Sequence, residues 1–143
     1  MRFAQTTPGR TFTVVLDHGE DFYKGLAEFC TTQSVKAGRV SFLGGFRFAR
    51  LVATCGPLEK PDEPLWDDVK VEYLEALGHG TLAWNVEEDR LAPHIHVTAG
   101  LKGASAEGRT SHLLEATVQF LQDGRPRYLQ DGHHPWRSEP EQR

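Results

Sequence analysis

Hydrophobic positions alternate with polar ones along much of this chain, and one stretch repeats instead at helical spacing. Thr11-Phe12-Thr13-Val14-Val15-Leu16 is β-branched and aromatic, which predicts a strand ending at Asp17-His18-Gly19. Glu20 and Asp21 carry the negative charge that suits a helix start, and Phe22, Leu26, Phe29 and Cys30 follow at i, i+4, i+7 and i+8. One apolar helix face over about residues 20–33 is expected, with Gly25 as its weak point. Residues 39–54 form a β-rich block whose paired glycines, Gly44-Gly45, suggest a bulge. Three prolines make residues 56–65 a loop.

Val69-Lys70-Val71-Glu72-Tyr73-Leu74-Glu75-Ala76-Leu77 alternates and predicts a strand, interrupted at Gly78-His79-Gly80 and resumed over 81–86. Further strands are expected over 93–99 and 117–121, and a short one over 127–129 after the Asp123-Gly124 turn signal. The expected fold class is α+β: a mostly antiparallel sheet of six to eight strands with one main helix. Val69, Val71, Tyr73 and Leu77 give one apolar row, and Leu74 and Ala76 add apolar character to the other face. A sheet apolar on both faces leaves area for a partner, which predicts an oligomer.

Composition narrows the function classes. The chain has 143 residues, 38% hydrophobic and 25% charged, which is a folded globular balance and not a disordered one. Mean hydropathy is −0.48, and no apolar run approaches the ~18 residues of a membrane helix. The first residues lack the apolar core of a secretory signal, so a cytoplasmic location without membrane contact is expected. A net charge of −4 and a pI near 6.0 run against direct nucleic-acid binding, which favours a basic surface. Cys30 and Cys55 are too few for a disulfide framework and read as reduced thiols.

The chemistry concentrates in the seven histidines. In Pro93-His94-Ile95-His96-Val97, strand geometry puts His94 and His96 on one face, with Ile95 and Val97 on the other. Two same-face imidazoles are half of a metal site. The turn-rich stretch 101–108 supplies a third if its flanks pair antiparallel about residue 104. Opposite residues then have numbers summing to 208, which sets His96 against His112 with His94 as diagonal neighbour. A slip of one residue would turn His112 to the other face.

Four segments occur in a telling order: Gly19-Glu20-Asp21 before the helix, Val40-Ser41-Phe42-Leu43-Gly44-Gly45-Phe46, His94-Ile95-His96, and Ser111-His112-Leu113-Leu114. Together they resemble the PPC (plants and prokaryotes conserved) domain family over residues 10–130. That resemblance implies a compact α+β domain that assembles as a homotrimer. It implies candidate metal-binding relatives in bacteria and archaea, and in plants a domain that follows DNA-binding AT-hooks. It carries the family's histidine motif onto His94, His96 and His112, as ligands of a divalent metal, most simply zinc. Where the family has two glycines before the last histidine, this chain has Thr110-Ser111. A single domain over 1–130 with a polar tail over 131–143 is expected.

Other residues are weighed and set aside. His79, between two glycines, reads as a surface turn, or as a neighbour that orients a ligand. Glu72, Glu75 and Glu115 read as solvated carboxylates, and no catalytic residue is assigned. His133-His134 lies in the tail. Gly124-Arg125-Pro126 matches part of an AT-hook core, but Asp123 stands where its first arginine belongs. No phosphate-loop, dinucleotide or serine-hydrolase motif is present. Two readings stay open: a metal-dependent enzyme or binder of a small molecule, and a non-catalytic trimeric interaction module of DNA-associated type that does not itself bind DNA.

Overall fold

The computed structural model describes residues 9–52, 68–101 and 103–119, with Met1, Gln5 and Thr7. The proline-rich loop, Cys55, the expected strand over 127–129, the partial AT-hook and His133-His134 lie outside the described residues. One helix, α1 (Phe22–Thr32), precedes four strands: β1 (Ala37–Val52), β2 (Val69–Asn85), β3 (Arg90–Leu101) and β4 (Ala104–Val118). All four strand pairs are antiparallel, and they close into a barrel in the order β1-β2-β3-β4.

The α+β class holds, but among the described residues four long strands replace the expected six to eight. Two differences account for most of the count. Gly78-His79-Gly80 does not break the sheet; the strand runs through it to Asn85. A Cβ at Gly78 would stand 2.2 Å from the Phe42 ring, and one at Gly80 would stand 2.5 Å from the His94 carbonyl oxygen. These glycines let β2 approach its neighbours closely instead of turning it. Residues 11–16 lie outside every ladder. Their side chains follow the helix: Phe12 meets Phe29 edge-on at 5.2 Å and Leu16 fills the space that Gly25 leaves open, while Arg10 just before them donates to the Gln33 carbonyl.

The helix starts two residues later than expected, at Phe22. Asp21 caps it, its side chain accepting from the Lys24 backbone N–H at 2.8 Å. Phe22, Leu26 and Cys30 enter the barrel's hydrophobic cluster, which also holds Phe46, Leu51, Leu74, Ile95, Val97 and Leu113. Gly19 and Glu20 exchange backbone bonds with Val118, which ties the helix start to the end of β4.

The inward row changes parity along the strands. Tyr73 has φ 53°, a left-handed conformation. It separates an inward Val71 from the inward run Leu74, Ala76, Leu82, so Tyr73 and Leu77 face outward. The apolar row expected through Val69, Val71, Tyr73 and Leu77 is therefore split between the two faces. The bulge expected at Gly44-Gly45 falls elsewhere: those glycines pair regularly with β2, and β1 shifts register against β4 between Phe46 and Phe48 and again between Arg50 and Leu51. Among the described residues no helix is long and apolar enough to cross a membrane.

Candidate metal centre

Register builds the site. β3 and β4 pair as His96↔His112, Val97↔Ser111, Thr98↔Thr110, Ala99↔Arg109 and Gly100↔Gly108, which is the register expected from the sequence. The pairing shifts only beyond Gly100, where Gly103 at φ 77° helps the chain reverse. Odd-numbered residues of β3 point into the barrel, with Ile95 and Val97 fully buried. His94 and His96 therefore stand on the outer face, and His112 joins them half-buried.

The three imidazoles converge. Their ring centroids lie 4.9–5.2 Å apart, and one ring nitrogen of each falls within 4.8 Å of the others. The His94 and His96 Nε2 atoms are 3.1 Å apart. Two imidazole ligands on a tetrahedral zinc, each at about 2.0–2.1 Å, would be separated by roughly 3.3 Å. The donor set is thus of the right kind and close to the right span for one ion. Burial first, and then repulsion from His94 and His96, lowers the His112 pKa below the ordinary histidine value. That favours the neutral imidazole, the form that ligates a metal.

His79 is not in a surface turn. It is directly opposite His96 in the β2–β3 ladder, exposed on the same outer face, though outside the three-histidine group. The sequence signal for this was the strand pattern on both sides of the glycines, and the glycines masked it. The weighed carboxylates stay apart from the group. Glu115 pairs with Arg50 at 3.3 Å, beside a second pair from Arg50 to Asp68 at 3.0 Å. Glu72 and Glu75 are exposed on β2.

Thr110-Ser111, in place of the expected glycines, leaves the register intact. Thr110 faces outward, its hydroxyl 3.3 Å from that of Thr98. Ser111 faces inward opposite Val97 and is 5% exposed.

Solved structures share this fold. A metal-containing protein of Archaeoglobus fulgidus aligns at 25% identity with a TM-score of 0.65, over 82% of this chain and 79% of its own. Candidate DNA-binding proteins from Ralstonia eutropha JMP134 and Bacteroides thetaiotaomicron align at 20% and 19% identity, with TM-scores of 0.60 and 0.58. These two cover 72% and 73% of this chain, and 66% and 68% of their own lengths, and at such identity they speak for the fold alone. No match is found among curated proteins. The Plants and Prokaryotes Conserved (PCC) domain model matches residues 3–122, and with the motif order, the barrel and the histidine pairing it leads to one conclusion: the chain belongs to the Plants and Prokaryotes Conserved domain family.

Proposed function

We propose that this protein binds one divalent metal ion per chain, zinc by donor chemistry, through His94, His96 and His112, and presents the ion's open position to a small-molecule ligand. The observation that carries this is the convergence of three ring nitrogens within 4.8 Å on the outer face of the barrel. The metal-containing Archaeoglobus neighbour supports it. A zinc ion with three protein ligands keeps a fourth position, where it binds water or ligand and lowers the pKa of bound water. Ligand sensing and hydrolysis both begin from that position. The unit carrying this function is a single domain over 1–130, acting as a cytoplasmic homotrimer.

Elemental analysis of tag-free protein after zinc loading and desalting tests the reading. About one ion per chain is expected, falling to background in His94→Ala/His96→Ala. A metal-free parent, or undiminished binding in the double variant, overturns it.

A second reading is a non-catalytic trimeric module that works beside DNA without gripping it. The exposed pair Leu43 and Leu77 favours an assembly surface, and the names of two fold neighbours favour the DNA setting. Those names also weigh against the absence of direct DNA contact, which rests on the net charge of −4. A salt-dependent shift of A·T-rich duplex by sub-micromolar protein would remove that part of the reading.

A further inference from the structure

β4 changes partner at His112. Up to that residue it pairs with β3, through His96; from it onward it pairs with β1, beginning at Val52. The first half of β3 therefore parts from β4, and α1 lies over the gap. The Tyr23 hydroxyl donates to the Leu113 carbonyl and fixes the helix there. One turn on, Ala27 is too short to fill the space beneath it. A cavity of about 270 Å³ results, lined by Tyr23, Ala27, Arg90, Pro93, His112 and Leu114 among others.

We infer that this cavity binds a small organic carboxylate with an apolar body, held against the third histidine of the metal centre. The volume lies just below the roughly 300–1,000 Å³ of ordinary small-molecule pockets, which suits a compact acid. The walls are mostly apolar, and Leu91 and Leu113 complete them. Arg90 is the cationic group of the lining. Its guanidinium offers five donors in a planar fork matched to carboxylates, and its ion pair with Glu88 runs through Nε, the one contact of that group among the described residues. Burial pushes the Tyr23 phenol well above its ordinary pKa, so that side chain stays neutral and adds no negative charge. His112 belongs to both the cavity and the histidine group, so a bound acid would lie against one of the ion's three proposed ligands. That last link rests on the metal reading; the cavity and Arg90 do not.

Benzoate is the probe, acetate its control, and the full chain is titrated with each by amide NMR, zinc-loaded and metal-free. Benzoate should shift amides of residues 23–27, 90–92 and 112–114, and bind at least tenfold more tightly than acetate. Arg90→Gln should weaken benzoate at least tenfold without altering zinc stoichiometry. Ala27→Phe, which fills the cavity, should abolish benzoate binding and retain zinc; if it does not fold, Arg90→Gln still decides. Equal affinity for acetate and benzoate, shifts confined elsewhere, or an unaffected Arg90→Gln overturns the inference. Benzoate binding in a protein that takes up no zinc would fell the metal reading and leave the cavity site standing. Zinc uptake without benzoate binding would do the reverse.

Discussion

Ser111 and His112 are adjacent in sequence and opposite in environment. The Ser111 hydroxyl is buried inside the barrel with no hydrogen-bond partner among the described residues. Leaving a buried hydroxyl unpaired costs about 1–3 kcal/mol. Ser111→Ala removes it with little change of volume and should stabilise the protein by about 1 kcal/mol, a rise in melting temperature of roughly 3 °C. A lower melting temperature by calorimetry would show that the hydroxyl has a partner. His112 faces the other way, toward two more imidazoles, with its pKa pushed down. In the unfolded chain it would titrate near the ordinary value of about 6.5. Below that value the unfolded chain takes up a proton that the folded His112 resists, so metal-free stability should fall as pH drops from 7.5 toward 5. His112→Gln should flatten this dependence; urea titrations at several pH values giving parallel trends for variant and parent would refute the assignment.

At the scale of elements, the contact between β2 and β3 decides whether His94 is held in place. A Cβ at Gly80 would meet the His94 carbonyl oxygen at 2.5 Å, Ile95 Cγ1 at 2.6 Å and Ile95 Cα at 2.9 Å. Two of these atoms are backbone, so relief requires β3 itself to move. Gly80→Ala should cost about 1–3 kcal/mol by overpacking and weaken zinc binding, because the strand that shifts carries two of the three imidazoles. Zinc affinity unchanged alongside a clear loss of thermal stability would separate the strand contact from the site. The same contact explains why the sequence was only partly readable here. The period-2 spacing of His94 and His96 and the register that brings in His112 are local properties, and both were legible. Gly78-His79-Gly80 had the composition of a turn, because the reason for its glycines lies in Phe42 and His94, on two other strands. Residues 11–16 had strand composition, but their apolar side chains are satisfied by Phe29 and the notch at Gly25. Composition records what a side chain can pack against, not which ladder has an edge free. Closure of four long strands into a barrel depends on bulges at β1–β4 and the left-handed Tyr73, and none of these carries a sequence signature.

For the whole molecule, the outer face beside the histidines is one surface that the described residues leave uncovered. Leu43 and Leu77 are paired across β1 and β2 and are 77% and 50% exposed. They occupy the row next to Ser41, His79, His96 and His112 on the same side of the sheet. An exposed apolar pair next to a polar cluster is a place for a partner subunit, since burying it removes roughly 25 cal/mol per Å² of unfavourable apolar exposure. Symmetry alone would favour a two-fold dimer. The family resemblance favours a ring of three, in which each contact joins two different patches and rotation closes it. Light scattering at micromolar concentration should give about 48 kDa, three times the chain mass of 16.0 kDa. Leu77→Glu places a charge in the proposed contact, on a side chain that packs against nothing in the core, and should yield a folded species near 16 kDa. Because the apolar pair adjoins the histidine row, the same variant should also alter zinc affinity if a partner subunit covers the ion. A parent already monomeric at that concentration would refute the trimer, and a monomeric variant with unchanged zinc affinity would show that each chain holds its ion alone.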